Sequence, residues 1–94
     1  IKESGLRALA NLAYADDNMV PLFKTPGVVE ALHLAARDGQ TNEIKRWALE
    51  ALANLAYAEG NRVPLFQTPG LVDVLVNAGR AGAMNDIKEH GLWA

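Results

Sequence analysis

Residues 8–27, ALANLAYADDNMVPLFKTPG, return almost unchanged as residues 51–70, ALANLAYAEGNRVPLFQTPG. Aligning residues 1–43 with 44–86 gives 25 identities without a gap, and IKEHGLWA (87–94) matches IKESGLRA (1–8) at six of eight positions. Near-identical units at a fixed period of 43 predict structural units that stack, because one such unit cannot bury its own apolar face. A closed four-helix bundle could use the same helices, but the strict period favours stacking. Both ends of the sequence fall inside the same element and the first residue is not Met, so the chain reads as a fragment of a longer array.

The local pattern within one period is helical. EIKRWALEALANLAYA (43–58) places Ile44, Ala48, Leu52 and Leu55 on one face, with Leu49 and Ala56 widening the stripe. Asn42 is expected to cap this helix, with Glu43 at its positive end. Gly60 and Asn61 are expected to break it. NRVPLFQ (61–67) then reads as a short turn or helix with Pro64 in its first turn. Thr68 is expected to cap the next helix and Pro69 to open it, with GLVDVLVNAGRA following. Val-rich LVDVLV could also be a strand, but its counterpart VVEALHLAAR (28–37) is richer in Ala and Leu without clean alternation. Gly39 and Gly82 suit the left-handed residue that ends a helix. Each unit therefore reads as a short, a medium and a long helix.

Composition excludes several classes. The net charge is −2 and the nine Lys and Arg are scattered, whereas a nucleic-acid binder concentrates basic residues. There is no Cys, hence no disulfide framework, thiolate nucleophile or thiolate zinc site. No apolar run approaches the roughly 20 residues that cross a bilayer. These features fit a cytoplasmic or nuclear protein. His33 and His90 occupy non-equivalent positions without a second ligand at metal spacing, and both read as solvated surface side chains. ADDN (15–18) lacks the glycine and ligand spacing of a calcium loop; Asp16 and Asp17 instead suit the positive end of the following short helix. No nucleophile–base pair is visible, so an enzyme is not expected and no cofactor is implied.

Three helices per 43 residues, with EIKRWALEALANLA, then GN, the apolar pair Leu65–Phe66, PG, an apolar helix and a Gly-containing turn, resemble the armadillo repeat. HEAT repeats are the nearest two-helix alternative. The resemblance covers the whole chain and implies an all-α, right-handed solenoid. Residues 1–16 would be the long third helix of one unit, 17–59 a full repeat, and 60–94 a second repeat cut within its long helix. It also implies a concave groove lined by the long helices, binding an extended peptide or protein segment. In the importin-α subgroup a Trp and, four residues later, an Asn form two ladders along that groove. Asn11 and Asn54 fall on the Asn position; Arg7, Glu50 and Trp93 fall on the Trp position, so only one of three rungs is Trp. A carboxamide carries both donors and an acceptor, and an Asn rung could bridge a ligand backbone at every second residue, about 6.7 Å on a strand rising about 3.3 Å per residue.

Projection at 100° per residue places Glu43, Arg46, Trp47, Glu50, Asn54 and Tyr57 on the polar side of the long helix. Glu3, Ser4, Arg7, Asn11 and Tyr14 occupy that side in the first copy, and Glu89, His90 and Trp93 in the third. The candidate groove residues are thus Asn11, Asn54, Arg7, Glu50, Trp93, Arg46 and Trp47. Their charges alternate between units, Arg7 against Glu50 for example, and they could simply satisfy one another. The amides of Asn11 and Asn54 could equally bond a neighbouring unit's backbone. Two roles follow: a scaffold for protein interactions, or a structural spacer whose partners are neighbouring repeats or, end to end, further copies. Two units without polar caps are expected to be marginally stable alone and prone to self-association.

Overall fold

Helix-favouring Ala and Leu at 3.6-residue spacing, punctuated by Pro-Gly pairs, give helices and no strands among the described residues. The computed structural model describes residues 3–81, and side chains through residue 78. The helices run α1 (Glu3–Ala13), α2 (Asp16–Lys24), α3 (Val28–Asp38), α4 (Asn42–Tyr57), α5 (Glu59–Phe66) and α6 (Leu71–Ala81). The alternative strand at LVDVLV is therefore helix. Residues 82–94, which hold Gly82, Glu89, His90, Trp93 and the third restart of the repeat, lie outside the described residues.

Helix starts recur at the sequence period: Asp16 and Glu59 open the short helices, Val28 and Leu71 the medium ones. Packing follows the same correspondence. α1 lies against α4, α2 against α5 and α3 against α6, while α4 also packs on α3 and so forms the centre of the fold. The core is Leu and Ala: Leu6, Leu32, Leu49, Leu52, Leu55 and Leu71 are fully buried, interleaved with Ala10, Ala13, Ala48 and Ala51. Each such Leu contributes about 1.5–3 kcal/mol of transfer free energy. The small Ala residues let α1 and α4 approach closely.

Several local expectations are corrected. The cap of α4 is Thr41, whose Oγ1 accepts the Ile44 N–H at 3.1 Å, and Asn42 is the first helical residue. Helix α4 ends one residue early, at Tyr57, and the extended backbone of Ala58 both closes α4 and precedes α5; Gly60 and Asn61 lie inside α5. Pro64 is consequently the sixth residue of its helix, as Pro21 is in α2. The carbonyls that lose a helical partner to these prolines belong to Asp17 and Gly60, both exposed, where water can replace the N–H. Thr68 does not cap α6. Its Oγ1 donates to the Pro64 carbonyl at 3.0 Å and closes the preceding helix, as Thr25 does to Pro21 at 2.9 Å. Pro69 accordingly lies before the helix and does not open it. The left-handed residues are Gly27 (φ 86°) and Gly70 (φ 79°), at the entrances to α3 and α6. Gly39 has φ −56°; it is needed for space, since a Cβ there would meet the Ala35 carbonyl oxygen at 2.5 Å and Ile44 Cγ2 at 2.7 Å.

Asp16 and Asp17 stand in the first turn of α2 as expected. His33 departs from the expectation of a solvated side chain. It is half-buried, its Nε2 shielded from solvent without a hydrogen-bond partner.

Candidate functional site

The site is the side-by-side pair α1 and α4. On α4, residues 46, 50, 54 and 57 fall one turn apart and form a single stripe; on α1, residues 3, 7, 11 and 14 do the same. Two contacts join the stripes. The guanidinium of Arg7 lies over the Trp47 ring at 5.5 Å from its centroid, and that of Arg46 at 4.9 Å. The Asn54 Nδ2 donates to the Ala10 carbonyl at 2.9 Å. Trp47 is half-buried and packed against the core, so its ring both fills the α1–α4 seam and offers its faces to two cations. Arg7 and Asn11 are exposed, while Arg46, Glu50 and Asn54 are half-buried. Both Arg46 and Glu50 are engaged by neighbouring groups. Tyr14 and Tyr57 end the two stripes with their side chains largely in solvent. Of the seven candidate residues, six are thus gathered on one α1–α4 face, and Trp93 lies outside the described residues.

The Asn in an Ala/Leu-rich helix now has a structural partner: Asn54 ties α4 to the backbone of α1. A second Asn does more, and the sequence reading passed over it as a helix breaker. Asn61 is 1 % exposed, and its Nδ2 donates to the Leu55 carbonyl at 2.9 Å and to the Met19 carbonyl at 3.0 Å. It therefore closes the C-terminus of α4 and links α5 to α2. Arg62 completes that closure, with Nε on the Ala56 carbonyl at 2.9 Å and a terminal nitrogen on Tyr57 at 3.0 Å. The last turn of α4 contains no basic residue; the cation next door supplies both the donors and the charge that a helix C-terminus favours. The signal was present in the sequence, since Asn18 recurs as Asn61 at the repeat period, and Asn18 Nδ2 donates to the Leu12 carbonyl at 3.0 Å.

Beside α4 lies a groove of about 910 Å³, bounded by α5 and α6 and lined chiefly by Leu52, Ala53, Ala56, Leu65, Leu71 and Leu75, with Tyr57 and Phe66 at its edge. Tyr14, Asp16, Asn54, Tyr57 and Arg62 add polar groups to this apolar lining. Among the described residues no group of three or more His, Cys, Asp or Glu side chains could hold a metal ion, and no helix is long and apolar enough to cross a membrane. Arg37 and Asp38 form an exposed ion pair at 2.7 Å, and hydrogen bonding to Arg37 holds the Asp38 carboxyl below its ordinary pKa.

Comparison with known protein families, curated proteins and solved structures returned no match. The described fold is all-helical, and the reading of its role rests on the residues themselves.

Proposed function

We propose that this chain is a stretch of an armadillo-type α-solenoid, right-handed and built on a 43-residue period, that serves as a scaffold for protein–protein interaction. An extended segment of a partner protein would lie across the α1–α4 face. The observation that carries this reading is the alignment of Arg7 and Asn11 with Arg46, Trp47, Glu50 and Asn54 on two adjacent parallel stripes joined by the Arg7–Trp47 contact. Such a face offers cations, a carboxylate and carboxamides on two neighbouring helices. The bond to Ala10 engages one of the four hydrogen-bonding capacities of Asn54, and Asn11 carries the same group on an exposed surface. A segment with alternating charge would be read by Arg7 and Glu50, with Trp47 holding the Arg7 guanidinium in place from the α1–α4 seam.

Selection of extended peptides from a displayed library against the purified chain tests this. Enriched peptides are expected to lose at least about tenfold in affinity on Arg7→Glu or on the double substitution Asn11→Ala, Asn54→Ala, with the helical circular dichroism retained. The absence of any enriched peptide, or binding indifferent to these substitutions, sinks the proposal.

A second reading has its own support. Asn54 and Asn61 both donate to carbonyls of the preceding unit, Ala10 and Met19, which is what a structural spacer requires of its polar residues. Stability that falls on removing these amides, together with a silent peptide screen, would favour the spacer.

A further inference from the structure

Each unit carries a Thr-Pro-Gly turn, Thr25-Pro26-Gly27 and Thr68-Pro69-Gly70, that neither the polar stripes nor the groove uses. The two turns are built alike. The Val28 N–H donates to the Thr25 carbonyl and the Leu71 N–H to the Thr68 carbonyl, both at 3.2 Å. Gly27 and Gly70 supply the positive φ, 86° and 79°, of a type II turn with Pro at its second position. Thr25 itself is extended, with φ −69° and ψ 123°. Lys24, Thr25, Pro26 and Gly27 are exposed; in the second turn Gln67, Pro69 and Gly70 are exposed and Thr68 is half-buried. The first turn has a unit after it and the second a unit before it, so a neighbouring unit on either side leaves such a turn accessible. Each hydroxyl also holds a helix end. Thr25 Oγ1 donates to the Pro21 carbonyl at 2.9 Å and Thr68 Oγ1 to the Pro64 carbonyl at 3.0 Å, in helices interrupted by those prolines. In α2 the turn so held packs Leu22 and Phe23 against the core.

We propose that Thr25 and Thr68 are acceptor sites for a proline-directed Ser/Thr kinase, and that phosphorylation releases the helix end each hydroxyl holds. A Thr followed by Pro on an accessible turn presents the hydroxyl and the ring that such a kinase reads. The hydroxyl oxygen attacks the γ-phosphorus of ATP. The bond from that phosphorus to the β–γ bridging oxygen breaks, ADP leaves with the electron pair, and the hydroxyl proton passes to the catalytic carboxylate of the kinase. The phosphothreonine has no hydrogen left to donate to the Pro21 carbonyl. It also places a charge of about −1.5 to −2 beside the carbonyls at the C-terminal end of α2, the negative end of the helix dipole. Lys24 offsets part of that charge, and Glu30 in the first turn of α3 disfavours transfer of the phosphate to that helix start. The net effect is a loosened end of α2, and with it a weaker link from Asn61 to the Met19 carbonyl on the same helix. Neither a longer array nor a ligand on the α1–α4 stripes is required.

Incubation of the full chain with a purified proline-directed kinase, ATP and Mg2+, followed by mass-spectrometric mapping, tests this. Phosphate is expected on Thr25 first and on Thr68 more slowly. Pro26→Ala is expected to slow modification of Thr25 about tenfold or more. Gly39→Ala perturbs the distant α3–α4 corner and is expected to leave the rate at Thr25 unchanged. The phosphorylated chain is expected to melt about 4–8 °C lower per site, and below the double variant Thr25→Val, Thr68→Val, which loses the same two bonds without gaining charge. No phosphate on Thr25 overturns the proposal, as does a rate indifferent to Pro26→Ala. A rate that rises about tenfold in Gly39→Ala also overturns it, because the kinase then acts on the unfolded chain. A phosphorylated chain whose Tm is no lower than that of the double Val variant overturns the release of the helix ends. Loss of peptide binding by the α1–α4 stripes leaves all these outcomes unchanged, so the two ideas fail separately.

Discussion

Replacing Asn61 by Ala removes two hydrogen bonds from one nitrogen, to Met19 at 3.0 Å and Leu55 at 2.9 Å, at a position 1 % exposed. Each such bond contributes about 0.5–1.5 kcal/mol net, so the pair accounts for about 1–3 kcal/mol. The Leu55 carbonyl keeps the Ala58 N–H at 3.3 Å, which limits the desolvation penalty there. We therefore expect a loss of about 2 kcal/mol, a drop in Tm of about 8–16 °C for a domain of this size. Thermal unfolding by circular dichroism in dilute solution reads it, so that association does not contribute. The built-in control is Asn18→Ala. That residue occupies the equivalent position but is half-buried and makes one bond, to Leu12, so its loss is about 0.5–1 kcal/mol. A second arm uses Asn61→Asp, which places a carboxylate without donors against two carbonyls. Its folded-state pKa is raised, so this variant is most stable below the unfolded carboxylate pKa of about 4 and loses stability as pH rises through it. Equal shifts for Asn61→Ala and Asn18→Ala, or an Asn61→Asp variant insensitive to pH, would refute the reasoning that the cross-unit bonds of a buried amide hold the layers together.

Other perturbations probe the remaining contacts. Asn54→Ala removes the half-buried bond to Ala10 and should cost about 1 kcal/mol by chemical denaturation, with Asn11→Ala near neutral in the monomer. Gly27→Ala meets no neighbouring atom within 4 Å yet forces a side chain to φ 86°, so it should cost about 1–2 kcal/mol from backbone conformation alone. Gly39→Ala, with an ordinary φ but a backbone oxygen 2.5 Å from the new methyl, should cost about 1–3 kcal/mol through steric displacement of the α3–α4 corner. Arg7→Gln removes a cation from the Trp47 face; about 0.5–1 kcal/mol is expected, together with a change in Trp47 fluorescence. For Asp38, hydrogen bonding to Arg37 lowers the pKa, so its small stabilising effect is present above the ordinary carboxylate range and fades as pH falls through the depressed value. In Arg37→Gln the Asp38 titration followed by NMR should move upward.

What the residues alone determined is the helical unit and its repetition. Apolar spacing at 3.6 residues and Pro-Gly punctuation act within a few residues of themselves, and a duplicated local pattern folds into duplicated helices. Hence α1 to α6 were legible, along with the polar stripes holding Arg7, Asn11, Arg46, Trp47, Glu50 and Asn54. Only the tertiary structure decided what each copy meets. Asn11 and Asn54 share an octapeptide, yet one faces solvent and the other bonds a neighbouring helix. Leu12 and Leu55 are the same residue in the same local frame, one half-exposed and one in the core. Gly39 is needed in part because the α3–α4 corner brings Ile44 against it, and the Nε2 of His33 is shielded from solvent although the sequence marks it as a surface residue. Conformation is set largely by short-range sterics along the chain, whereas burial and hydrogen-bond partnership belong to whatever lies alongside. A repeat conveys the first twice over but leaves the second to the position each copy holds in the fold.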